Sequence, residues 1–297
     1  MKTFLSGLAL MILAIVWYLF PPNHVTGLTW FLYISVYAGG YMLLCDALIQ
    51  WRTGKAFLSY SRRGVLLHIF MLGIVGGVIF EFFGNWIFKT WYYPPLNTLG
   101  YLLSLLFWGW FFIIMLESYR LAVVLLAHSK RSTSKLKFHR YYRYLFPIIG
   151  LLGMVILVVI TTYALATYHV PVNPLDILNG PWDVENNLTV LLLVPIAMGM
   201  IFEWLQYKRS EKTLLMCVID RDFIPLVSIT SACFVTALSL ELYNLPLGLW
   251  RYTNLPFQTI KFMSIPVSVL LFWPSLYILF LAFYHIIYKH ETRHIWD

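Results

Sequence analysis

Two glutamates, Glu81 and Glu241, each sit at the end of a membrane-length apolar run and are followed by an amide and then a Trp-x-Tyr. The first copy reads EFFGNWIFKTWYY, with Asn85, Trp91 and Tyr93, and the second reads ELYNLPLGLWRY, with Asn244, Trp250 and Tyr252. The copies lie 160 residues apart at the glutamates and 159 apart at the other three landmarks. A carboxyl group inside a hydrocarbon-length segment is costly enough to mark a functional site by default. Shielded from water, it can hold a proton for general acid or base catalysis. An amide three or four positions later shares its helix face and can fix its orientation. Aromatic faces stabilise cations, so the four Trp and Tyr residues suit the walls of a site that generates positive charge. A structural reading stands beside this one. Each glutamate can pin helices together by bonding its Asn, Lys89 or Arg251, and the aromatics can belong to an interfacial belt.

A second acidic layer lies at the opposite helix ends. Asp46 precedes Gln50-Trp51-Arg52, and Glu203 precedes Gln206-Tyr207-Lys208. For these two the structural reading is the stronger, because an acid near the interface can reach headgroup water. Cys45, Cys217 and Cys233 have no metal-like spacing and read as packing residues, so no disulfide framework, metal or other cofactor is expected. His68, His169 and His285 read as structural or surface histidines.

The elements that carry these residues are helices of membrane length. The chain has 297 residues, of which 60% are hydrophobic and 11% charged, with a mean hydropathy of +0.75, far from the roughly 25% charged residues of soluble domains. Spanning a hydrocarbon core takes about 20 apolar residues. Eight runs meet that length, at about 3–20, 27–50, 64–88, 96–126, 145–167, 188–207, 223–245 and 265–288. The first resembles a signal peptide in its opening half but is read as a retained helix, since it ends in aromatics and Pro21-Pro22 without a small-residue cleavage pattern. With both termini cytoplasmic, 18 of the 21 lysines and arginines fall inside, leaving only Lys89, Arg251 and Lys261 outside. The net charge of +8 thus reflects orientation in a bilayer, of the bacterial inner membrane type, and not nucleic-acid binding.

The basic segment 128–143 divides the chain almost in half and reads as a cytoplasmic linker, while the proline-rich, acidic segment 169–187 reads as an outer lid. Helices four and eight share Leu106-Phe107-Trp108 and Leu271-Phe272-Trp273. The expected fold is therefore an all-α polytopic membrane protein of about eight transmembrane helices in two parallel four-helix repeats, 1–144 and 145–297.

The second half resembles membrane-embedded carotenoid enzymes, the lycopene cyclase domain family and the related carotenoid hydratases. The resemblance rests on Glu241, Gly248-Leu-Trp250-Arg-Tyr252, Ile265-Pro266 and Leu271-Phe272-Trp273, and recurs more weakly in the first half. It implies an enzyme that protonates an isoprenoid double bond, with Glu241 as proton donor and Trp250 and Tyr252 lining the site. Where that family has Pro-x-Glu-Glu, this chain has Pro266-Val267-Ser268-Val269, so an acid pair is missing, and it lacks the aspartate-rich magnesium motifs of membrane prenyltransferases.

Two function classes follow. One is a metal-independent enzyme acting on an isoprenoid or other lipid by cyclisation, hydration or isomerisation, using Glu241 or Glu81, with Asn85, Asn244 and the four aromatics around the substrate. The other is a transporter or a lipid-binding or accessory protein using the same glutamates for a proton or a headgroup. The residues leave the oligomeric state open.

Overall fold

Apolar runs of this length satisfy their backbone polar groups inside a bilayer by forming helices. The computed structural model describes residues 2–20, 27–56, 63–94, 96–126, 140–167, 188–209 and 211–287. It contains α1 (Lys2–Leu19), α2 (Gly27–Thr53), α3 (Arg63–Glu81), α4 (Thr98–Leu126), α5 (Tyr142–Thr167), α6 (Leu188–Lys208), a short α7 (Leu214–Ile219), α8 (Ile224–Leu247) and α9 (Val267–Ile287). Seven helices among the described residues are long and apolar enough to cross a membrane, and α6 occupies the remaining expected run. The protein is an all-α polytopic membrane protein. Its outer faces are apolar too: on α3, Leu67, Met71, Val75 and Val78 are exposed at helical spacing, as lipid contact requires.

The central helix is α4, buried on all sides from Phe111 to Tyr119, where it packs on α2, α3, α8 and α9. Hydroxyl groups bind this centre together across helices. Thr236 on α8 donates to Ser118 on α4 at 3.0 Å, Ser118 donates to Tyr41 on α2 at 3.2 Å, and Tyr37 donates to Ser239 at 2.7 Å. Such bonds hold helices in a solvent that offers no competing partners.

Packing follows one pattern in both halves. In the first, α1 lies on α2, α2 on α4 and α3 on α4; in the second, α5 lies on α6, α6 on α9 and α8 on α9. At one end of the bundle, β1 (Trp91–Tyr92) pairs antiparallel with β2 (Arg251–Tyr252), Trp91 opposite Tyr252 and Tyr92 opposite Arg251. Under the 159-residue offset Tyr92 corresponds to Arg251, so this pair maps onto itself. The two strands thus meet at corresponding positions of the two copies.

The copies differ by one residue, and the difference has a local structure. Between Glu81 and Asn85 the first copy has one residue more than the second, and here α3 passes into a π-helix, Phe82–Ile87. A π turn absorbs one extra residue per turn. The amides of Phe88 and Thr90 then reach back to Phe83 and Gly84 at 3.0 and 2.8 Å. The second copy needs no such widening, and α8 ends on Gly248, whose φ of 57° closes the helix with a bond from its amide to the Asn244 carbonyl at 2.7 Å.

The structure moves two expected boundaries. The fourth helix begins at Thr98, not residue 96, and Ile265–Pro266 is not helical but forms β4, paired with β3 (Lys261–Phe262) through a turn with Met263 and Ser264 at positive φ. That turn conformation matches the twist of the two strands. The expected outer lid and most of the expected linker lie outside the described residues, as does His169.

Candidate functional site

Glu81 and Glu241 are both buried, 3% and 2% exposed, near the β1–β2 end of the bundle. Each is met by equivalent partners. Tyr93 donates its hydroxyl to Glu81 Oε1, and Tyr252 does the same to Glu241 Oε1. Behind each tyrosine stands its tryptophan: Trp91 Nε1 donates to Tyr93 at 3.1 Å, and Trp250 Nε1 to Tyr252 at 3.1 Å. The tryptophans of the shared Leu-Phe-Trp landmarks close the pattern. Trp108 donates to Glu81 Oε1 at 3.1 Å, and Trp273 stands with Glu241 on the wall of one cavity. Both tyrosine hydroxyls keep their protons, because burial and then the neighbouring carboxyl push them well above the usual phenol range.

The asparagines break the equivalence. Asn85 donates to Glu81 Oε2 at 3.1 Å, so both oxygens of Glu81 are held by protein. Asn244 turns the other way, taking the Trp250 amide at 3.0 Å and giving to the Trp250 carbonyl at 2.9 Å. It therefore shapes the loop and does not hold Glu241, contrary to the orienting role expected from helical spacing. The cause is the one-residue difference: Asn85 stands four residues after its glutamate on a widened turn, and Asn244 three residues after on a regular one.

An apolar cavity of about 170 Å³ opens between the two copies. Glu241, Trp250, Tyr252, Trp91, Tyr93 and Trp273 line it, with Trp108, Phe272 and Phe280 adding aromatic walls; Glu81, Asn85 and Asn244 do not. A polar recess of about 500 Å³ lies on the other side of Glu241, with Asn244, Arg251, Gln258 and Lys261 on its walls. The two glutamates are thus distinct in access: Glu241 borders two spaces, and Glu81 borders neither.

The second acidic layer lies outside this site. Glu203 accepts from the Leu215 amide at 3.2 Å, at the start of α7, where a carboxylate complements the helix end. Asp46 is buried on α2, 1% exposed. Glu117, fully buried on α4, was not singled out from the sequence, although a lone acid in an apolar run is itself a signal. His285 on α9 is buried against Glu211 at 3.3 Å, a structural pairing. The three cysteines are buried.

No protein-family model matches the chain, and neither does any curated protein or solved structure.

The cavity wall depends on close approach of backbone to ring. A Cβ on Gly84 would stand 1.9 Å from the six-membered ring of Trp91. Gly84→Val is therefore expected to push Trp91 off Tyr93 and to destabilise the protein by about 1–3 kcal/mol, the usual cost of overpacking. Thermal unfolding of purified protein measures this against Gly199→Ala, where a Cβ meets open space and little change is expected.

Proposed function

We propose that this protein is an integral membrane enzyme that protonates a carbon–carbon double bond of an isoprenoid-like or other hydrophobic lipid, with Glu241 as the acid. The observation that carries the reading is that Glu241 reaches the wall of an aromatic, apolar cavity with Oε1 held by Tyr252, while Asn244 is turned away from Oε2. Glu241 gives its proton to one carbon of the double bond, and the positive charge on the other carbon faces Trp250, Phe272 and Trp273. Return of a proton from an adjacent carbon to the Glu241 carboxylate completes an isomerisation or ring closure. Capture of water, with its proton passing to the same carboxylate, completes a hydration. The likeness of the second half to carotenoid enzymes supports this class of chemistry.

Glu81 is the structural counterpart. The halves 1–144 and 145–297 are two related four-helix units, supported by matched helix packing, the pairing of corresponding residues Tyr92 and Arg251 and the paired Trp–Tyr–Glu bonds. Cytoplasmic termini, in a plasma membrane, would set the Glu241 cavity toward the outer leaflet, supported by the distribution of lysine and arginine.

One observation favours a transporter instead. The π-helix after Glu81, and Pro195 inside the continuous α6 on the cavity wall, place irregular turns and a missing backbone donor beside the site, features that transporters use at their binding sites. Incubating the protein in heavy water with the lipid that copurifies with it separates the two. Proton transfer leaves deuterium on carbon in the product, whereas transport returns the lipid with no carbon-bound deuterium.

A further inference from the structure

The polar recess and the apolar cavity share a wall of three side chains, Glu241, Trp250 and Tyr252. Beyond that wall the recess is cationic. Arg251, carried on β2, and Lys261, carried on β3, both line it with exposed side chains, and Gln258 adds a polar group between them in the chain. The backbone fixes both carriers. Arg251 is held by the β1–β2 pairing, and Lys261 lies opposite Pro266 in the β3–β4 hairpin. Gln258 donates to the Tyr252 carbonyl at 3.0 Å, tying the loop between them to β2.

An uncharged hydrocarbon has no use for a recess of this kind. A molecule with an anionic end does: its chain fits the aromatic cavity, and its charge meets Arg251 and Lys261 at the membrane surface, where two cations together hold a phosphate by charge-assisted hydrogen bonds. We infer that the substrate is an amphiphile with a phosphate-type anionic headgroup, seated in the recess lined by Arg251 and Lys261 while its hydrocarbon chain enters the cavity past Glu241. This rests on the proposed hydrophobic substrate and adds its headgroup. It also sets the reacting position, because the carbons beside Glu241 are then those closest to the head.

Equilibrium binding of three probes to the full-length purified protein tests the inference: farnesyl phosphate, farnesol and inorganic phosphate. Farnesyl phosphate should bind at least ten-fold more tightly than farnesol, and inorganic phosphate alone far more weakly than either. In the Arg251→Gln, Lys261→Gln double variant, whose exposed side chains can change without disturbing the core, farnesyl phosphate should fall to the affinity of farnesol, with farnesol unchanged. Equal binding of farnesyl phosphate and farnesol to the unaltered protein, or an advantage that survives in the double variant, would overturn the headgroup site and leave the hydrophobic-substrate reading intact. Inorganic phosphate binding as tightly as farnesyl phosphate would make this a free-anion site and overturn the inference. Failure of both isoprenoid probes to bind would remove the cavity reading together with its headgroup.

Discussion

Glu241→Gln is expected to fold normally and to lose about 10²- to 10⁴-fold in turnover of the copurifying lipid, the contribution of a positioned acid. Glutamine matches glutamate in size and can still accept the Tyr252 hydroxyl through its amide oxygen. It has no carboxyl proton to give. Glu81→Gln, made in the same way, should keep most of the activity, because Glu81 lies outside the cavity wall. Its amide oxygen would still accept from Tyr93 and Trp108, and Asn85 can turn its Oδ1, which has no hydrogen-bond partner among the described residues, toward the new amide. Parallel turnover assays on monodisperse preparations check both variants. Equal loss in the two would show that the halves act together, and full activity in Glu241→Gln would leave only a structural role.

Glu81→Leu carries the opposite signature, a large loss of stability. The leucine leaves the Tyr93 hydroxyl, the Trp108 indole and the Asn85 amide with no carboxylate to receive them, all in the buried interior of the bundle. An orphaned buried donor costs about 1–3 kcal/mol, so the total is on the order of 3 kcal/mol or more, enough to unfold a marginal protein. A lowered unfolding temperature and a reduced monodisperse yield are expected, with near-normal values for Glu81→Gln. If Glu81→Leu were as stable as the unaltered protein, the bonded network around Glu81 would not be holding α3 to α4.

The helical, membrane-spanning character of the chain was legible in its composition, because run length and apolar content alone decide which segments can cross a bilayer. The acid–Trp–Tyr landmarks were legible as well, since their order survives in both copies and their hydrogen bonds correspond. The orientation of Asn244 was not. Helical spacing places it on the face of Glu241, but the amide is diverted to the Trp250 backbone just after α8 ends at Gly248. The sign of that divergence was present as a change of offset from 160 to 159, and only the π-helix gives it a meaning. The inequality of access between Glu81 and Glu241 was beyond the sequence, because a cavity forms between helices distant in the chain, here α3, α4, α6, α8 and α9. Glu117 shows a different gap: it has no matching acid in the second half, where Ala282 follows the same landmark at the same distance, so a search for paired residues passes over it.

The central claim is that a hydrophobic molecule lies against Glu241 and not against Glu81. An experimental density map of the protein purified with its native lipids measures this most directly. The expected result is elongated density in the cavity, touching Glu241, Trp250 and Trp273 and running toward Arg251 and Lys261. Density against Glu81 with the Glu241 cavity closed by side chains would contradict it.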